Sequence, residues 1–262
     1  MFTQNSRSAL KIALMAISLI VESSTAAQTD NGDTFSLRAP ETLPNSIQLY
    51  ATAYIVQGAE ESVHSGDPWL LGRGGASLGL RIPRRIWCLA AVEGSLTVNV
   101  RAGGQRGYAY AGRGPTRVAD CSDVFRSMNP DLRSAVEHSV FAPTPADAPY
   151  GLGARSSYRL VPYRSIAIDL AAAAPLRLGQ VIFIPRLRGA RITMPDGRIA
   201  SHDGYVMAVD TGGAIKGRHI DFFEGPRPTD VLISELRTPF EAYVVENPQA
   251  AALLTRLHAR TP

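Results

Sequence analysis

Residues 205–225 read YVMAVDTGGAIKGRHIDFFEG, and the fold turns on how this stretch is read. Tyr205 to Asp210 and His219 to Phe223 are rich in β-branched, aromatic and small apolar residues, so each reads as a strand. The connection between them, TGGAIKG, carries three glycines. Glycine removes side-chain bulk and permits unusual dihedrals, so this backbone can lie close to a bound ligand. Strict alternation puts Val206, Ala208 and Asp210 on one face, and His219, Asp221 and Phe223 on one face of the partner strand. Two carboxylates 11 positions apart can then share a groove. Burial among Val, Ile and Phe would raise one of them toward the range of a general acid. Two solvated carboxylates at strand ends are the plainer reading, and spacing alone favours it.

Outward from this stretch the β signal continues. Ser165 to Asp169 ends a strand, and Gly179 to Pro185 is another. Arg188 to Met194 and Arg198 to His202 flank Pro195-Asp196-Gly197, which predicts a hairpin. Upstream, Gln48 to Val56 (QLYATAYIV) alternates as a strand. Residues 57–84 read as loop, Ile86 to Val100 as two strands turning at Glu93-Gly94-Ser95, and Gly107 to Ala111 as a short strand. Residues 123–140 contain a helix, 141–156 form a Pro/Ala/Gly linker, and Asn247 to Arg260 has the spacing of a terminal amphipathic helix. Residues 28–46 read as a loose, polar lead-in.

Composition sets the class. The 262 residues are 45% hydrophobic and 19% charged, with 23 Gly and 18 Pro, which excludes a disordered chain, a collagen and a coiled coil. Arg7 and Lys11, the apolar run Ile12 to Val21 and the small residues Ser24 to Ala27 form a signal-peptide pattern over 1–27. The apolar run is short for a bilayer span, and a retained anchor is the competing reading. Export makes a disulfide the default for Cys88 and Cys121, with two buried thiols as the alternative. A net charge of +4, carried by dispersed cations, gives no nucleic-acid platform. Apart from Lys11 there is one lysine, Lys216, against 24 arginines once Arg7 is set aside. A compact ammonium at a site would explain it, and so would chance.

Other motifs fail on inspection. GRGGASLG (72–79) and DTGGAIKG (210–217) lack the Gly-Lys-Ser/Thr of a phosphate loop. The histidines are scattered, with no HExxH or Cys/His cluster, so no metal and no cofactor is expected. There is no G-x-S-x-G elbow for a serine hydrolase.

AVDTGGAIKG-x-x-ID-x-F-x-G resembles the core motif of the three-aspartate (3D) domain, which is shared with membrane-bound lytic murein transglycosylase A. IAID169 followed by Pro175-Leu176-Arg177-Leu178-Gly179 and VIFIP185 is similar to the family's upstream element, and Ala51-Thr52-Ala53-Tyr54 to its first strand. Glu93-Gly94-Ser95 and Tyr110 to Gly114 look similar to the QGS and YAGKNG elements of the transglycosylase branch. The resemblance implies a mainly-β fold, a six-stranded double-psi β-barrel (47–57 plus 150–228) with an inserted β-rich domain (58–149), followed by a C-terminal segment with a helix (229–262).

It further implies a peptidoglycan lytic transglycosylase, with glycan strands as partner and no stable membrane insertion. Asp221 would be general acid and then base, with Asp210 and Asp169 tuning it. Candidate substrate contacts are Thr52, Tyr54, Gly212, Gly213, Lys216 and Glu93. With no lipid-attachment cysteine near the leader, the expected location is the periplasm. Glu93 in place of Gln, and the apolar run Ala171 to Ala174, depart from the family pattern. A non-catalytic, expansin-like wall-binding protein is the alternative.

Overall fold

The computed structural model describes residues 33–154, 158–226 and 236–260; the leader expected over 1–27 lies outside them. In chain order the elements are β1 (Ile47–Glu60), β2 (Trp69–Leu71), β3 (Ser77–Arg81), α1 (Arg84–Glu93), β4 (Ser95–Asn99), β5 (Gln105–Arg113), α2 (Pro130–Glu137) and β6 (Ser139–Pro143). There follow β7 (Ser165–Ile168), β8 (Val181–Phe183), β9 (Arg191–Thr193), β10 (Ile199–Ser201), β11 (Tyr205–Thr211), β12 (His219–Gly225), β13 (Phe240–Val244) and α3 (Pro248–His258). No helix among the described residues is long and apolar enough to cross a membrane.

Nine strands join in the order β12-β7-β11-β8-β13-β1-β4-β5-β6, and β12 also pairs with β1. That extra pairing closes β12, β7, β11, β8, β13 and β1 into a ring of six strands. One face of every ring strand feeds a single cluster, including Leu49, Ile166, Ile182, Val206, Phe222 and Ala242. The opposite faces contribute Tyr54, Ala167, Phe183, Met207 and Phe223 to a second cluster, which α3 covers with Ala250, Leu254 and Leu257. Phe222 and Phe223, adjacent in sequence, thus anchor two different cores. Each such buried side chain contributes about 1.5–3 kcal/mol.

Beyond the ring, β1 continues into a parallel pairing with β4, from Val56↔Ser95 to Glu60↔Asn99. β4, β5 and β6 extend the sheet, and a third cluster beneath them gathers Leu70, Ile82, Trp87, Leu96, Val98 and Phe141. The Cys88–Cys121 disulfide lies in this cluster and ties α1 to the segment before α2.

The hairpin expected around Pro195-Asp196-Gly197 is β9–β10, paired antiparallel. Gly197 holds a φ of 90°, a left-handed conformation that a side chain would strain. The terminal helix starts as its sequence suggests, with the Asn247 side chain accepting from the Gln249 and Ala250 amides and Pro248 at the first position.

Several expectations are corrected. Residues 86–93 form a helix, not a strand, because Trp87, Cys88, Ala90 and Ala91 fall on one helical face and are buried. Gly94, at φ 82°, caps that helix rather than turning a hairpin. The stretch 57–84, read as loop, holds the end of β1 and the β2–β3 pair, and the 141–156 linker begins inside β6. The sixth ring strand, β13, comes from the C-terminal segment expected only to carry a helix.

The lead-in is not loose. Asp33 pairs with the buried Arg164 through both carboxylate oxygens, at 2.5 and 2.8 Å. Asp203 holds the same guanidinium at 2.6 and 2.9 Å, and the Tyr205 carbonyl accepts at 2.7 Å. Phe35 lies under the guanidinium at 3.9 Å and joins the ring's inner cluster. All five donors of Arg164 are used, which is what makes its full burial tolerable.

Asp33→Ala leaves half of this buried network uncompensated and is expected to cost about 3–5 kcal/mol in denaturant unfolding. Cys88→Ser releases a 33-residue separation and is expected to cost about 3–4 kcal/mol. Adding reductant to the wild-type protein should reproduce the second loss.

Candidate active site

Backbone register brings the chemistry together. Thr52 on β1 pairs with Asp221 on β12, Asp221 pairs with Ala167 on β7, and Ala167 pairs with Asp210 on β11. These residues form one row across four adjacent strands. The two aspartates flank a residue whose side chain is a single methyl group, so the space between them is open.

Simple alternation does not produce this row. β11 carries a register shift between Ala208 and Asp210, so Val206 and Ala208 face the ring interior while Asp210 shares the face of Ala167. The expectation that Val206, Ala208 and Asp210 share a face is therefore corrected. A bulge adds one residue to the strand and turns the next side chain to the other side.

Asp210, Asp221 and Glu93 line one cavity of about 510 Å³, walled by Tyr54, Tyr110, Arg113 and the Gly212-Gly213 backbone. Burial pushes the Asp221 carboxyl up to about 6, with the charge of Asp210 adding to it and a hydrogen bond from Thr52 opposing it. Burial likewise raises Asp210 to about 6, against hydrogen bonds from the Thr211 backbone and Tyr54. Glu93 rises to about 7 by burial, opposed by the Ile55 amide and reinforced by Asp221. The Ile55 N–H donates to Glu93 Oε2 at 2.9 Å, and the Tyr54 hydroxyl donates to Asp210 Oδ2 at 3.1 Å. Burial, followed by the charges of Asp210 and Asp221, keeps Tyr54 well above its ordinary value, so it remains a donor. Three carboxyl groups that burial holds well above the usual carboxylate range thus face a common space.

The remaining predicted residues are placed differently. Asp169 lies just past β7 and does not line the cavity. Its Oδ1 accepts from the Ala171 amide at 3.1 Å and its Oδ2 from the Gly217 amide at 2.8 Å. Those amides, with the charge of Lys216, hold its carboxyl below the usual range. Asp169 therefore pins the far end of the glycine loop between β11 and β12. Lys216 is exposed on that loop, outside the cavity. Ile215 anchors the loop by burying its side chain, and a Cβ at Gly212 would stand 2.7 Å from Ile215 Cγ1, so only glycine fits there.

Sequence reasoning gave no role to His219, whose Nε2 lies 2.8 Å from Thr52 Oγ1. The signal was present, since His219 precedes Asp221 by two positions on one strand face. Among the described residues no group of three or more His, Cys, Asp or Glu is placed to hold a metal ion. A larger cavity of about 850 Å³ opens near Pro143, Pro149 and the β9–β10 turn, and none of the predicted site residues lies on it. The smaller cavity is the candidate site because the interacting carboxyls line it.

Residues 164–230 match the family model of the 3D domain. Among solved structures the chain is similar to E. coli MltA with bound chitohexaose, at 16% identity over 76% of this chain and 72% of that one, with a TM-score of 0.50. It also matches the membrane-bound lytic murein transglycosylase from Agrobacterium tumefaciens, at 14% identity over 80% and 78% of the two chains and a TM-score of 0.48. The lytic transglycosylase LtgG of Burkholderia pseudomallei matches at 20% identity over 75% and 70%, with a TM-score of 0.39. A search of curated proteins gives no match. The chain thus carries a 3D domain, as the 205–225 motif implied. Its fold is that of the MltA lytic murein transglycosylases.

The carboxyls also set a pH dependence of stability. Asp210 and Asp221 bind their protons more tightly in the fold than in the unfolded chain, where the ordinary value is about 4. Their contribution to folding stability is therefore most favourable below about 4 and is lost as pH rises from there through about 6. Asp210→Asn should raise the melting temperature at pH 8 by about 2–4 °C per kcal/mol of relieved penalty and leave it unchanged at pH 4. Equal effects at both pH values would mean that Asp210 is not a buried proton holder.

Proposed function

We propose that the protein is a peptidoglycan lytic transglycosylase. It cleaves the β-1,4 bond between N-acetylmuramic acid and N-acetylglucosamine and leaves a 1,6-anhydro-muramyl end. The observation that carries this reading is the Asp221–Ala167–Asp210 row, which puts a proton-holding carboxyl in an open cavity beside a second one. A general acid works best when its pKa lies near the working pH, and Asp221 at about 6 meets that requirement. The 3D-domain match and the MltA fold support the choice of reaction. Chitohexaose bound to E. coli MltA supports a saccharide as the occupant of the cavity.

In this reading Asp221 protonates the glycosidic oxygen and the bond to C1 breaks. The muramyl C6 hydroxyl closes onto C1 and returns its proton to Asp221. One carboxyl serves twice because the nucleophile belongs to the substrate, unlike ordinary glycosidases, which need two carboxyls of opposite role. Asp210, held by Tyr54, opposes loss of the Asp221 proton whenever it is itself ionised. Glu93 and the Gly212-Gly213 backbone contact the glycan, and Asp169 acts through the loop it pins. Thr52 and Tyr54 act on the two aspartates, and Lys216 remains a contact for glycan extending beyond the cavity.

The ring is read as a double-psi β-barrel and residues 58–149 as a domain inserted into it. The separate hydrophobic cluster under β4–β6 supports that division. The signal-peptide pattern of the sequence over 1–27 supports a periplasmic location. A wall-binding module without catalysis is the second reading. Asp169 favours it, because its two backbone bonds explain one motif aspartate by folding alone.

Mass spectrometry of purified murein after incubation separates these readings. Wild type should release anhydro-muramyl products, one water lighter than hydrolytic ones, and Asp221→Asn should lower turnover by roughly 10²–10⁴ with the fold intact. Ordinary reducing ends would make the protein a hydrolase. Binding to murein without products from either protein would make it a binding module.

A further inference from the structure

Thr52 has one hydroxyl hydrogen and two neighbours that can take it. Its Oγ1 lies 2.8 Å from Asp221 Oδ1 and 2.8 Å from His219 Nε2. The imidazole is held in place, with Tyr50 stacked on it at 4.8 Å and an interplanar angle of 6°. The Ala214 backbone beside the ring favours its protonated form, against the larger effect of burial. A neutral imidazole has one N–H, and in the tautomer that carries it on Nδ1, Nε2 presents a lone pair to Thr52. The hydroxyl then cannot serve both Asp221 and His219 at once.

We propose that the Thr52 hydroxyl is a two-position switch, donating to His219 while Asp221 holds its proton and turning to Asp221 Oδ1 when that proton leaves. Thr52 and His219 are thereby positioning residues for the acid–base group. The catalytic consequence rests on the transglycosylase reading; the switch itself does not. When Asp221 gives its proton to the glycosidic oxygen, the new carboxylate gains the Thr52 O–H as donor and no proton crosses between residues. When Asp221 takes the proton of the muramyl C6 hydroxyl, the Thr52 hydrogen returns to Nε2. The carboxylate is stabilised only while it exists, which is where stabilisation raises turnover.

The charged and titratable surroundings of the pair are defined. His219 meets Tyr50 and Thr52 from β1, lies two positions before Asp221 on its own strand, and follows Lys216 and Arg218 of the glycine loop. Asp221 shares its cavity with Asp210 of β11, Glu93 of α1, Tyr54 of β1, and Tyr110 and Arg113 of β5. Burial holds His219 below its ordinary value, which favours the neutral ring that the switch requires.

The switch predicts opposite effects from its two halves. In a carboxyl ¹³C NMR titration of the full chain, the Asp221 signal is identified by its loss in Asp221→Asn. Thr52→Val removes the donor and should raise the Asp221 pKa by about one unit, tenfold in the acid constant. His219→Phe removes the competing acceptor, keeps a ring against Tyr50, and should lower the Asp221 pKa, roughly threefold in the same constant. Thr52→Ser should restore the wild-type value. Shifts in the same direction, or none, in variants that melt like wild type would overturn the switch. If Thr52→Val does not fold, the direction of the His219→Phe shift decides. The titration needs no turnover, so failure of wild type to cleave murein would remove the reaction and leave the switch separately tested. If wild type does cleave, the pH–rate profile should move in the same two directions.

Discussion

The parallel pairing of β1 with β12 is the constraint on which the molecule depends. It closes the ring by joining the last strand of the six-strand order to the first. The same pairing sets Thr52 against Asp221. β1 is long enough to do more, running antiparallel to β13 at its start and parallel to β4 at its end. One strand therefore closes the ring, supplies a donor to the central carboxyl and attaches the β4–β6 sheet. A slip of one residue along it would turn Thr52 and Tyr54 into the ring core and Ala51 out to the cavity.

The site is a compromise between folding and chemistry. Burial holds Asp210, Asp221 and Glu93 well above the usual carboxylate range, which costs stability wherever their protons are lost. The fold offsets this cost elsewhere. Arg164 is fully buried and fully bonded, and the Cys88–Cys121 disulfide fastens the third core. His202 and His258 show the reverse effect of burial, which lowers both to about 4, so they sit as neutral rings in the core. The same loss of hydration prepares one set of groups for proton transfer and keeps the other inert.

The three aspartates of the motif divide by what surrounds them. Asp210 and Asp221 have a cavity in front of them and apolar walls behind, so their protons are held. Asp169 has two backbone amides on its carboxylate and stays ionised, pinning the loop that carries Gly212 and Gly213. Glu93 joins the first pair from a helix end 117 positions before Asp210. A set of three interacting carboxyls thus forms, but its members are not the three that the motif groups.

Much of this was legible in the residues themselves. The strands over 205–210 and 219–223, the Pro195-Asp196-Gly197 turn and the Asn247 helix start follow from local patterning and backbone chemistry, which act over a few residues. The motif aspartates were legible for the same reason, because their spacing around TGGAIKG is local. Four features were not. The bulge that turns Asp210 toward Ala167, the clasp of Asp33 on Arg164 and the meeting of Thr52 with His219 each join segments far apart in the chain, and the helix that ends at Glu93 depends on the core its buried face packs against. Periodicity reports which face of a segment is apolar, and it does not report what the opposite face meets. The sequence by itself determined the strands, the turns and the candidate carboxyls. Only the tertiary structure decided which carboxyls share a buried space, because burial and hydrogen-bond partners are properties of packed neighbours and not of the chain.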